Sequence, residues 1–296
     1  MIHRSKVNLT PRLRRHLHSA SNFALGLVSV YAALFFFKRA LFPLLQLSPG
    51  WSEDMHPVVG PLGSLAAAVA GYWLFVVLRE RRRATELRFK PSHVLGGAAA
   101  GAALIGITIA GLFAVGAYQF DSWRGFGAVA PVASTILAAA VLEELVFRVL
   151  LFGALERSVG TSVAMLVTAV LFGALHLFNE GVTAFTILSV SILGAFWCAV
   201  FALSRNLWVT GVNHALWNLT IFMSGAPLSG QEGWRESAPI SSHETGPLWL
   251  TGGSFGPEDS VVNIVLAGTA TLLLWRMIAK RPILRSPGKE DRQSAI

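Results

Sequence analysis

The run Ala138-Ala139-Ala140-Val141-Leu142-Glu143-Glu144-Leu145-Val146-Phe147-Arg148-Val149-Leu150-Leu151-Phe152 places three ionisable side chains within six residues of an otherwise apolar stretch. A charge at the centre of a spanning helix costs about 2.5–3.5 kcal/mol on insertion scales, so these groups need partners. Glu144 and Arg148 stand four apart and share a helix face, where a charge-assisted pair offsets part of both desolvation costs. Glu143 is turned about 100° from its neighbour, so it can face a cavity while the arginine holds Glu144. A purely structural ion-paired lock would also account for Glu144 and Arg148. It accounts less well for Glu143.

Outward from this run the composition agrees with a membrane setting. With 53% hydrophobic residues, 14% charged residues and a mean hydropathy of +0.57, the chain does not read as a soluble domain. Windows of about 17–25 apolar residues suffice to span. Eight are read at 20–37, 57–78, 94–118, 128–155, 161–178, 182–203, 207–224 and 260–279. The expectation is an all-α, polytopic membrane helix bundle of about eight transmembrane helices. Lys38 and Arg39 interrupt the first window, which puts Leu41 to Leu47 along an interface. The reading divides the chain into a basic N-terminus (1–19), a membrane domain (20–280) and a tail (281–296).

The cations set the expected orientation. With the N-terminus cytoplasmic, nineteen Lys and Arg fall on the inner side and only Arg124 and Arg235 in outer loops, which places both termini in the cytoplasm. The net charge of +8 is then a topology signal, with the lipid bilayer as partner and no nucleic acid. No cleavable signal peptide is read at the N-terminus. The single cysteine, Cys198, excludes an intrachain disulfide. The Gly-, Pro- and Ser-rich segment 225–259 is the one loop long enough to act as a lid or a substrate contact.

Two histidines repeat the pattern of the acids. Six of the eight lie in tails, loops or helix ends, whereas His176 and His214 fall within apolar windows. His214 and Asn218 share a helix face, so both can direct donors at one point, as stabilising a developing oxyanion requires. Glu143 and His176 are equidistant from a turn at Ser158-Val159-Gly160, which sets them at one height. His214 joins them only if that turn reaches about 10 Å further than the turn near Arg205.

Glu143-Glu144-Leu-Val-Phe-Arg148, Phe172-Gly-Ala-Leu-His176 and His214-Ala-Leu-Trp-Asn218 resemble, in order and spacing, the EExxxR, FxxxH and HxxxN/D motifs of the CPBP family. These are the CAAX-processing and bacteriocin-processing intramembrane proteases, also called Abi. The resemblance covers about 128–224, and Gly252-Gly-Ser-Phe-Gly-Pro-Glu258 also looks like bacterial members. It implies an eight-helix bundle that cleaves a peptide bond near the bilayer. Glu143 and His176 would activate water, His214 and Asn218 would bind the oxyanion, and Glu144, Arg148 and Phe172 would support them.

No metal is assigned by this reading. Were one bound, Glu143, His176 and His214 would make a catalytic zinc set in type. Val149 stands where many bacterial members carry Gly. The resemblance further implies a multi-pass protein of the bacterial inner membrane acting on a membrane-associated peptide or protein: a CAAX-type tail, a precursor peptide or a C-terminal sorting signal. The competing classes are a non-catalytic membrane scaffold of the same family and a proton-coupled transporter. Against the transporter, no repeated half with matching interrupted helices is visible.

Overall fold

The computed structural model describes residues 10–280. The first nine residues and the expected tail over 281–296 lie outside the described residues. Among the described residues eight long helical rods follow one another: α1 (Pro11–Gln46), α2 (Glu53–Glu80), α3 (Pro91–Ala114), α4 (129–159), α5 (Thr161–Phe178), α6 (Ala184–Ser204), α7 (Leu207–Ser224) and α8 (Val261–Ala279). Six of them, all except α4 and α7, are long and apolar enough to cross a membrane by length and composition. The chain is a helical membrane bundle, as its composition requires.

Two of the three polar motifs ride on the enclosed rods α4 and α7, and the third lies near the end of α5. α7 packs between α3 and α4, and α4 also packs on α2 and touches α1, α5 and α6. α1 lies on α2, while α5 and α8 flank α6. Small residues permit the closest approaches. A Cβ on Gly97 of α3 would lie 2.8 Å from the Val209 carbonyl oxygen of α7, and one on Gly211 would lie 2.9 Å from Val141 of α4. The outer rods expose large apolar side chains, including Tyr31 and Phe35 on α1, Leu166 and Val170 on α5, and Leu272 and Met277 on α8. Exposed apolar area on this scale fits lipid contact.

Two boundaries differ from the sequence reading. Thr10 caps α1 and Pro11 opens it, so the helix starts well before the apolar window at residue 20. Lys38 and Arg39 do not end it either. A π-helical stretch, Phe37–Leu41, keeps the backbone bonded while Phe37 turns inward and both cations turn outward, and the helix runs on to Gln46. The segment from Leu41, expected along an interface, therefore prolongs α1.

The expected turn between α4 and α5 is present at Gly160, whose φ of +86° a glycine adopts without strain. Arg205, at the break between α6 and α7, pairs with Glu156, one helical turn before Gly160.

The loop 225–259 is folded. Its β2 (Ile240–Glu244) pairs antiparallel with β1 (Tyr118–Trp123), a two-stranded sheet that the all-α reading did not include. The Tyr118 hydroxyl donates to the Thr251 carbonyl at 2.7 Å, tying the segment after α3 to the same loop.

Candidate active site

The site is organised around one carboxylate oxygen. Glu144 Oε1 lies 3.1 Å from Arg148 Nη1 and 3.0 Å from His214 Nδ1, so it joins α4 to α7. Glu144 and Arg148 are fully buried and His214 nearly so. Arg148 belongs to the Leu145–Phe152 π-helical stretch, a backbone variant that recurs at functional sites. Its Nη2 donates to the Gly194 carbonyl of α6 at 3.2 Å, and its guanidinium lies 4.4 Å from the Phe172 ring centroid. The aromatic face replaces part of the hydration that this buried cation has lost.

Each histidine presents the same nitrogen. His176 Nδ1 lies 2.9 Å from the Phe172 carbonyl, an acceptor only, so Nδ1 carries the proton and Nε2 is left free. The His214 Nδ1 contact with Glu144 carboxylate works in the same way. His176 sits at the C-terminal end of α5, where the helix tightens into the 3-10 turn His176–Phe178, and it is half-buried. Both imidazoles flank the Phe172 ring, with centroid distances of 5.1 Å to His176 and 6.3 Å to His214.

Glu143 and Asn218 differ from this bonded set. No hydrogen bond or ion pair joins Glu143 to another described residue, and its oxygens are not sealed like Glu144 Oε2. A cavity of about 670 Å³ between α1, α2 and α4 has Ala138, Ala139 and Leu142, the residue before Glu143, in its wall. Asn218, one turn after His214, has its Oδ1 buried without a partner among the described residues. Glu144 Oε2, Arg148 Nε and, for want of alignment, Arg148 Nη1 also lack hydrogen bonds.

Some neighbours of the site are not in any motif. Trp197 of α6 stacks on His214 with ring centroids 3.7 Å apart and planes at 25°, and its Nε1 donates to Asn213 Oδ1 at 3.1 Å. Asn213 in turn donates to the Gly97 carbonyl of α3 at 2.8 Å. Neither contact is readable from spacing, because each depends on how separate helices pack. Phe255 and Glu258, from the loop, also reach this neighbourhood: the Phe255 ring lies 6.4 Å from His176, and Glu258 is within electrostatic reach of Glu143.

A histidine that donates Nδ1–H to a carbonyl or carboxylate is in the form a metal ligand takes. Yet among the described residues no three His, Cys, Asp or Glu side chains converge in a way that could hold a metal. Glu143, His176 and His214 therefore do not make a zinc set in this arrangement.

No match was found among the curated proteins or among the solved structures. A family model does match, over about a third of the chain that includes all three motifs but stops short of Glu258. Residues 125–220, the part of the bundle that carries the three motifs, are similar to Type II CAAX prenyl endopeptidase Rce1-like, which supports a CAAX-type peptide hydrolase at the level of the family.

Proposed function

We propose that this protein is an intramembrane endopeptidase that hydrolyses a peptide bond of a membrane-associated substrate, with a CAAX-type tail as the substrate class. The observation that carries the reading is the division of labour between adjacent acids. Glu144 is held by Arg148 and His214, and Glu143 makes no hydrogen bond or ion pair with a described residue. An unpaired carboxylate in a water-poor site is suited to take a proton from water.

In this reading Glu143 accepts the proton of a water that also bonds to His176 Nε2, the nitrogen left free by the Phe172 carbonyl. The water attacks the peptide carbonyl. Negative charge develops on the carbonyl oxygen, and Glu143 passes its proton to the leaving amine. With Nδ1 committed to Glu144, His214 can donate to that oxyanion from Nε2 only as an imidazolium. His214 would have to take up a proton for this, since its Nδ1–H contact with Glu144 leaves Nε2 unprotonated in the resting site. Asn218, one turn after His214 on the same face of α7, would supply the second donor from its Nδ2.

The test is cleavage of a fluorogenic peptide ending in a farnesylated CAAX tail by the purified chain in liposomes, with products mapped by mass spectrometry. Wild type should release the three-residue tail, and Glu143→Gln should lose about 10²–10⁴ in kcat at near-wild-type thermal stability. Cleavage by Glu143→Gln at the wild-type rate would remove the proposed base.

A further inference from the structure

Among the acids outside all three motifs and beyond the family match, Glu258 ends the turn Gly252-Gly253-Ser254-Phe255-Gly256-Pro257-Glu258. Gly252 and Gly256 take φ of +79° and +109°, which side-chain-bearing residues rarely adopt, and so the turn folds back into the protein. Glu258 is only 3% exposed. Its Oε1 accepts from Trp217 Nε1 at 3.1 Å, its Oε2 pairs with the Ser229 hydroxyl, and its carbonyl accepts from Asn263 Nδ2 at 3.0 Å. The next residue, Asp259, accepts from Thr186 at 2.6 Å and Ser189 at 2.7 Å, which anchors the turn to α6. Phe255, on the same turn, is the buried ring beside His176.

Trp217 immediately precedes Asn218 on α7. A displacement of the fully buried Trp217 side chain would be transmitted to the backbone that aims the Asn218 amide. We infer that Glu258 is a positioning residue: by holding the Trp217 indole it fixes the helical turn that presents Asn218, while Phe255 on the same turn bears on His176. The loop thereby completes a site whose reacting groups all come from α4, α5 and α7. This inference rests on the hydrolytic role proposed for Asn218.

The hydrogen bonds define what the side chain must be. Burial pushes the Glu258 carboxyl up to about 7, against the opposing pull of its Ser229 and Trp217 hydrogen bonds. A protonated acid can donate to Ser229 while still accepting from Trp217, and a glutamine amide can do both as well. The positioning role therefore needs shape and an acceptor, with no need for charge.

The experiment compares Glu258→Ala, Glu258→Gln, Trp217→Phe and the double variant Glu258→Ala/Trp217→Phe in the full chain. The readouts are melting temperature without substrate, and kcat and KM on the farnesylated peptide. Glu258→Ala should lower kcat about 10–100-fold with KM within about twofold, as loss of a transition-state donor's alignment would. Glu258→Gln should restore kcat. Trp217→Phe, which removes the indole N–H, should fall with Glu258→Ala, and the double variant should be no worse than the worse single one, because coupled residues are not additive.

Wild-type kcat in Glu258→Ala, additive losses in the double variant, or a well-folded Glu258→Gln as slow as the alanine variant would each overturn the inference. Should Glu258→Ala not fold, Trp217→Phe and Glu258→Gln still decide it. If wild type and Glu143→Gln yield equal product, the hydrolytic reading has failed. The melting-temperature cycle still tests the Glu258–Trp217 coupling in that case.

Discussion

Among the described residues two Glu–Arg pairs stand at the same i,i+4 spacing, and they are satisfied to very different degrees. After α2, Arg82 donates from Nη1 and Nη2 to the two Glu86 oxygens at 2.9 and 2.7 Å, and from Nε to Glu80 at 2.7 Å. The Tyr72 hydroxyl donates to Glu86 as well. Within the bundle, Glu144 and Arg148 meet through one oxygen at 3.1 Å, and Glu144 Oε2 and Arg148 Nε have no hydrogen-bond partner among the described residues. The first pair keeps contact with water, since the Arg82 side chain is 40% exposed, whereas both members of the second are fully buried. Spacing alone does not separate a lock from a working site. Unfilled hydrogen-bonding capacity at a place where it is expensive does, because natural interiors rarely leave it.

The sharpest way to break this contrast is to remove one arginine from each pair. Arg148→Ala leaves Glu144 uncompensated beside His214, a change that costs about 3–5 kcal/mol for a buried pair. Lower yield, an earlier melting transition in detergent and lost cleavage are expected together. A well-folded and active Arg148→Ala protein would show that the enclosed pair is dispensable. Asn218→Ala comes next in size, with kcat lower by about 10²–10³ and KM little changed, as for loss of one oxyanion donor. A raised KM at unchanged kcat would make Asn218 a ground-state contact instead. Glu86→Gln should be smaller and of another kind: a loss of about 1–2 kcal/mol, discounted for the exposure of Arg82, with cleavage per folded molecule unchanged.

How far the sequence carried depends on how local each contact is. The Glu144–Arg148 pair was legible because a helix brings i and i+4 together whatever surrounds it. The free state of Glu143 followed from the same geometry. The His214 contact with Glu144 was not, although both residues were candidates: nothing in the spacing says which acid of the pair α7 will meet. Glu258 lies in a loop by sequence, and its burial comes from contacts with Trp217 and Ser229 that have no periodicity to read. Its surrounding glycines were the available signal, since such a density of positive-φ positions marks a turn folded against protein. The π-helical stretches in α1 and α4 leave no mark in the sequence, because apolar patterning does not distinguish an i+4 ladder from an i+5 one.

The smallest effect, and the one that sharpens the comparison most cheaply, is opposite pH dependence at the two carboxylates outside the spans. Burial raises the Glu86 pKa, but the Arg82 and Tyr72 hydrogen bonds outweigh it, and the net shift is below the ordinary value of 4.5. Its stabilising contribution is therefore present above 4.5 and is lost as pH falls through its folded-state value. Glu258 runs the other way. Burial carries it from 4.5 to about 7, so its contribution is present below 4.5 and is lost as pH rises through about 7. The melting temperature of wild type minus that of Glu86→Gln should shrink on acidification below about pH 4.5. The difference between wild type and Glu258→Gln should shift against wild type between about pH 5 and 8, since the amide cannot ionise. Thermal scans of the three proteins across pH 3.5 to 8.5 in one detergent measure both slopes. A flat Glu258 difference would mean that the buried loop acid keeps one protonation state across that range, and slopes of the same sign would show that the two carboxylates are governed by the same term after all.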